Sequence, residues 1–194
     1  MGLVWLACGG KKEQNTLPDH NPVVNVEEAT IDQLNVMLEK EPNNPEYLYY
    51  RGIRYMDGDD YTLAIQDLSA SIAIDSTKAA TWFNRGTAKY SLDDFDGALV
   101  DYNKAIEIKP TYFEAYYNRG VLFDTQERYE AANADYTKVI ELKPDYVNAY
   151  YSRGVNYYMM KKRDKACEDF KKSADLGDEE GKKAYQKYCV DQKQ

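Results

Sequence analysis

Small and large apolar residues return along this chain with a period of 34, and the charged residues keep step with them. Arginine and glycine stand together at Arg51-Gly52, Arg85-Gly86, Arg119-Gly120 and Arg153-Gly154. Twelve residues after each glycine comes an alanine (Ala64, Ala98, Ala132, Ala166), and four further on a large apolar residue (Leu68, Tyr102, Tyr136, Phe170). The pattern predicts two helices of about 13 residues per unit, split near Asp59-Asp60, Asp93-Asp94, Glu127-Arg128 and Lys161-Lys162. Pro110 and Pro144 close two of the units, since proline biases the residue before it away from helix. Neither helix of a pair can bury its apolar stripe alone, so each hairpin has to stack on its neighbours. The expected fold class is all-α, a solenoid of antiparallel helix pairs.

The units fall near residues 45–78, 79–112, 113–146 and 147–178. Residues from about 27 to 41, closing at Pro42, match only the second helix of a unit and predict an N-terminal half repeat. Residues 179–190 predict a final amphipathic capping helix, because a solenoid needs polar outer faces at its ends. One pairing follows from symmetry about each turn. Arg51 and Asp67, Arg85 and Asp101, Arg119 and Asp135, and Arg153 and Asp169 lie at equal distances from a turn centre, so an antiparallel hairpin brings them level. They predict an internal ladder of ion pairs that specifies register. The alternative is arginines presented to an anionic ligand.

In its residues the pattern resembles the tetratricopeptide repeat family. The second unit carries Trp82, Gly86, Ala98, Tyr102, Ala105 and Pro110 at the family's positions, and the third carries Tyr116, Gly120, Phe123, Tyr129, Ala132, Tyr136 and Pro144. The first has Gly52, Tyr55, Tyr61 and Ala64 with Ser76 in place of the proline; the fourth has Tyr150, Gly154, Tyr157, Ala166, Phe170 and Ala174 and ends at Leu176-Gly177-Asp178. The resemblance implies a right-handed solenoid over residues 27–194 and a binding groove lined by the first helix of each repeat, chiefly at unit positions 2, 5, 9 and 12. Position 5 holds Tyr49, Phe83, Tyr117 and Tyr151, an unbroken aromatic row; position 9 holds Ile53, Thr87, Val121 and Val155; position 12 holds Met56, Tyr90, Asp124 and Tyr158. Position 2 holds Glu46, Ala80, Glu114 and Asn148. Aromatic rings with scattered acids suit a protein or peptide partner with apolar anchors. The competing role for the row is packing against neighbouring helices. Family members that clamp C-terminal carboxylates use lysines and arginines here, and these rows have none.

Ahead of the repeats, Leu3-Val4-Trp5-Leu6-Ala7-Cys8 followed by Gly9-Gly10-Lys11-Lys12 resembles a bacterial lipobox, which implies acylation of Cys8 and removal of the preceding residues. Only seven residues precede Cys8, and Trp5 stands where that family prefers leucine. Residues 1–8 are then a signal remnant and 9–26 a flexible tether rich in Gly, Lys, Asn and Pro. The expected location is the cell envelope, held by lipid; the alternative is a soluble cytoplasmic scaffold or co-chaperone-like protein in which residues 1–8 mean nothing. No run is long and apolar enough to span a bilayer.

Composition narrows the function. Hydrophobic residues make up 43% and charged ones 30%, which suits a folded chain, and the net charge of −8 disfavours nucleic acid, whose phosphates need a cationic face. Nineteen tyrosines supply apolar bodies with polar tips. Catalysis finds no foothold: the single histidine, His20, lies in the tether, and no phosphate loop, metal-ligand cluster or CxxC occurs, so the expectation is a non-enzymatic scaffold without cofactor or metal. With Cys8 acylated, Cys167 and Cys189 remain as an even pair on either side of the last turn. They form a candidate disulfide, or else two small buried residues that never meet.

Overall fold

The computed structural model describes residues 25–190. They form α1 (Ile31–Lys40), α2 (Pro45–Asp57), α3 (Tyr61–Ile74), α4 (Ala79–Ser91), α5 (Phe95–Ile108), α6 (Phe113–Thr125), α7 (Tyr129–Leu142), α8 (Val147–Met159), α9 (Arg163–Asp175) and α10 (Glu179–Tyr185). No strand occurs among the described residues. Helices pack chiefly on their sequence neighbours, α2 on α3, α3 on α4 and so on to α10. The first helices of successive hairpins also touch, α2 with α4 and α4 with α6, which puts them on the inner side of the stack.

The 34-residue pattern explains the packing. Ala64, Ala98, Ala132 and Ala166 are fully buried, as are the large residues one turn later, Leu68, Tyr102, Tyr136 and Phe170. The glycines of the first helices lie against those large side chains. A Cβ added to Gly120 would stand 2.7 Å from Cε1 of Tyr136. Only a residue without a side chain lets the two backbones approach this far.

Within each hairpin the turn passes through one residue in the left-handed region: Asp59, Asp93, Glu127 and Lys161 have φ between 55° and 60°. Asp60 and Asp94 then cap α3 and α5, their carboxylates accepting from the amides of Leu63 and Gly97. Helices α5 and α7 end two residues before Pro110 and Pro144. Without a proline, α3 stops in the same register because Asp75 accepts from both the amide and the hydroxyl of Thr77, at 2.9 and 2.6 Å. This local turn competes with helix continuation.

Both ends differ in detail from the sequence expectation. The half repeat begins with a 3-10 turn at Val26–Glu28, and α1 starts only at Ile31. Thr30 and Gln33 form a reciprocal capping box that fixes this start. At the other end α10 keeps α-helical geometry to Tyr185 and widens into a π turn at Gln186–Val190. That turn carries Cys189, which is bonded to Cys167 of α9 across a Cα–Cα distance of 5.7 Å.

Candidate functional site

The inner side of the stack carries the aromatic row of α2, α4, α6 and α8. Tyr49, Phe83, Tyr117 and Tyr151 are all half-buried. Three of the rings lean on the core residue of the following helix: Phe83 on Tyr102 at 6.0 Å, Tyr117 on Tyr136 at 5.6 Å and Tyr151 on Phe170 at 6.0 Å between centroids. Two of them also meet the tyrosine that opens the next hairpin, Phe83 with Tyr112 at 5.0 Å and Tyr117 with Tyr146 at 5.2 Å. One edge of each ring is thus fixed by the fold while part of its surface stays open. The row is a packing element with part of its surface exposed. Burial raises the hydroxyl pKa of Tyr49 and Tyr151, so at neutral pH these rings present uncharged hydroxyls.

Around the row lie Ile53, Thr87, Val121 and Val155, half-buried in every case, and then Met56, Tyr90 and Asp124, also half-buried. Tyr158 is exposed and stacks on Tyr188 at 4.5 Å. Near the start of the row, a cleft of about 510 Å³ is lined by Asn44, Tyr49, Tyr50, Ser71 and Thr81 among others. Asparagine side chains link neighbouring hairpins across this surface. Asn84 Nδ2 donates to the Tyr49 hydroxyl at 3.0 Å, and Asn118 Nδ2 donates to Thr87 Oγ1 at 3.3 Å. Asn156 Nδ2 donates to Asp124 Oδ1 at 2.6 Å, while the Tyr136 hydroxyl donates to the other oxygen of the same carboxylate. Burial raises the Asp124 pKa above the usual carboxylate range, and the bonds from Tyr136 and Asn156 offset part of that rise.

The sequence pattern did not bring Asp124, Tyr136 and Asn156 together. A signal was there to find. Asn156 occupies a unit position filled elsewhere by Arg54, Ala88 and Leu122, and Asp124 one filled by Met56, Tyr90 and Tyr158. Two departures in adjacent repeats, an acid at one position and an amide at the other, mark a local network.

The four arginines are not presented to a ligand. Each makes two bonds to its aspartate, with distances from 2.6 to 2.8 Å. The remaining nitrogen, Nη1, reaches back to the preceding hairpin: Arg51 to Asn35, Arg85 to Ser69, Arg119 to Asn103 and Arg153 to Thr137. With every guanidinium nitrogen engaged, the ladder joins each hairpin to the one before it. Burial pushes the Asp135 pKa up despite the opposing effect of Arg119.

Cys8 and His20 lie outside the described residues. Among the described residues, no group of His, Cys, Asp and Glu is arranged to hold a metal, and no helix is long and apolar enough to cross a membrane.

Known proteins place the architecture. The family described as TPR repeat matches residues 86–126 and 125–161, and the one described as tetratricopeptide repeat matches residues 148–176. A crystal structure of MamA superposes with a TM-score of 0.73 at 32% identity, covering 79% of this chain and 88% of that one. A second crystal structure of MamA gives 0.71 at 30% identity, covering 84% and 87%. YrrB, described as a TPR protein with an unusual peptide-binding site, gives 0.70 at 22% identity with 81% of each chain covered. No curated protein matches the chain in sequence.

Proposed function

Because the chain belongs to the tetratricopeptide repeat family, we propose that it is a non-enzymatic scaffold that holds a protein or peptide in its inner groove while a lipid on Cys8 holds it to the cell envelope. The observation that carries the binding reading is the row Tyr49, Phe83, Tyr117 and Tyr151. Three of its rings are fixed along one edge by Tyr102, Tyr136 and Phe170, Tyr49 is held by Asn84, and all stay partly open, so they offer apolar area that is already ordered. Rigid aromatic anchors lose little conformational entropy when a partner docks. YrrB, similar in fold, is described as having an unusual peptide-binding site, and the proposal extends peptide binding to this chain.

The envelope reading rests on the lipobox-like residues up to Cys8 and on the bond between Cys167 and Cys189, which persists in an oxidising compartment. Facing that compartment, the solenoid is an adaptor, with neither nucleic acid nor a cofactor among its partners.

Two measurements test the proposal. Val121 is half-buried in the groove, and lysine there keeps its stem on the apolar surface while placing a charge in the opening. Val121→Lys is expected to lose the partners captured by the native protein from its own membranes, with melting little changed; an unaltered set of partners would remove the groove from the account. Metabolic labelling with a palmitate analogue is expected to mark the native chain and not Cys8→Ala. An unlabelled native chain recovered from the cytosol establishes the soluble alternative.

A further inference from the structure

We propose that the occupant of the groove is a basic peptide, anchored by one lysine or arginine side chain whose cation rests on Asp124. This rests on the groove reading and adds the chemistry of the partner. The four groove positions of the four repeats carry Glu46, Glu114 and Asp124 and not one lysine or arginine. Lysines border the surface, Lys78 at the cleft beside Tyr49 and Lys109 and Lys143 on the rings of Tyr112 and Tyr146, while a further basic run, Lys161, Lys162, Arg163 and Lys165, lies on the α8–α9 turn and the start of α9.

Within that anionic lining Asp124 has a special position. The buried aspartates of the second helices, Asp67, Asp101, Asp135 and Asp169, each hold an arginine, and Asp101 holds Lys89 as well. Asp124 accepts only from the neutral groups of Tyr136 and Asn156 and forms no ion pair among the described residues. A carboxylate has about four acceptor positions, so two bonds fix its orientation and leave capacity for a further donor. A fixed, half-desolvated carboxylate among the apolar and aromatic residues of the groove is what an ammonium or guanidinium group recognises, through a charge-assisted bond. Holding this carboxylate without a cation works against folding. Such a cost is common where a residue serves binding.

Selection from a library of random peptides tests the assignment before any natural partner is identified. Bait is the native chain, Asp124→Asn, Asp124→Lys or Val121→Lys. The native chain is expected to enrich peptides with lysine or arginine at one fixed place between apolar residues. Asp124→Asn should lose that preference and Asp124→Lys should replace it by aspartate or glutamate. For a selected peptide, changing the fixed lysine to norleucine is expected to weaken binding to the native chain about tenfold, more at low salt, and to leave binding to Asp124→Asn unchanged. Peptides that ignore every change at Asp124 but are lost with Val121→Lys would overturn the basic anchor and leave the groove reading standing. Peptides indifferent to Val121→Lys, or no enrichment at all, would overturn both.

Discussion

Arg119 grips Asp135 with two parallel N–H···O bonds, Nε to Oδ2 at 2.8 Å and Nη2 to Oδ1 at 2.6 Å, and sets its last nitrogen on Asn103 at 2.6 Å. Asn103 belongs to α5, Arg119 to α6 and Asp135 to α7, so one side chain ties three consecutive helices. The same arrangement repeats at Arg51, Arg85 and Arg153.

Removing one member of such a pair leaves a buried charge behind. Arg119→Ala is expected to cost about 3–5 kcal/mol at neutral pH, and replacing both Arg119 and Asp135 by apolar residues of similar volume should recover most of it. The deficit has a definite pH dependence. Burial already holds the folded-state pKa of Asp135 above its ordinary value with Arg119 present, and losing Arg119 takes it higher. A carboxylate with a raised folded pKa binds its proton more tightly in the folded chain, so stability falls as pH rises from the unfolded pKa, about 3.9, through the folded one. Urea denaturation at pH 4 and pH 7 should therefore show the smaller deficit at pH 4. Equal deficits would assign the loss to packing.

Asp124→Asn should act in the opposite direction from most substitutions. The Asp124 pKa is raised by burial, so its ionised form disfavours folding increasingly as pH climbs past the unfolded value. Asparagine can keep both contacts, accepting from Asn156 and donating to the Tyr136 hydroxyl. The variant is expected to be more stable than the parent at pH 7 by roughly 0.5–1 kcal/mol, with the difference vanishing in acid. Thermal melting across that range measures it.

Two backbone substitutions should separate crowding from strain. At Gly120 a Cβ meets a fully buried ring at 2.7 Å, so Gly120→Ala is expected to destabilise by about 1–3 kcal/mol. Glu127 adopts a φ of 55°, where a side chain is unfavourable by about 1 kcal/mol, so Glu127→Gly is expected to raise stability by about that amount. A gain at Gly120 or a loss at Glu127 in chemical denaturation would contradict the geometry.

The link between Cys167 and Cys189 encloses 22 residues of sequence separation, including α10. Loop-closure entropy assigns such a bridge roughly 3 kcal/mol. Neither thiol should be alkylated in protein taken from its native compartment until reductant is added, and Cys189→Ser should lower the denaturation midpoint accordingly. Mass spectrometry reads the first and chemical denaturation the second.

The helical repeat was legible in the sequence because one register, the 34-residue period, places Arg, Gly, Ala and the large apolar residue alike in every unit. The pairing of Arg with Asp followed from the same symmetry. The third arm of each arginine was harder to see: its acceptors, Asn35, Ser69, Asn103 and Thr137, keep the 34-residue period, but three residue types fill the position and have only a side-chain oxygen in common. The aromatic row was visible as a row, but its contacts with Tyr112 and Tyr146 depend on how one hairpin leans on the next. The network of Asp124, Tyr136 and Asn156 stayed hidden for a related reason. Its members come from three helices, and two of them break the period instead of following it.

The bridge to Cys189 also makes the two ends of the stack mechanically unequal. The last hairpin is covalently stitched to its cap, with Arg163 Nη2 donating to the Tyr188 carbonyl as a second tie. At the other end α1 rests on α2 through noncovalent contacts, chiefly Leu34 and Leu38 in the core and the bond from Arg51 to Asn35. In a quasi-one-dimensional fold, opening starts where the terminal unit is least secured. Tension applied ahead of residue 25 peels α1 first and the remaining hairpins in order, while the same tension applied behind residue 190 meets the crosslink. A pull through the N-terminal segment is thus a load on the weaker end, and α1 is the element that yields to it.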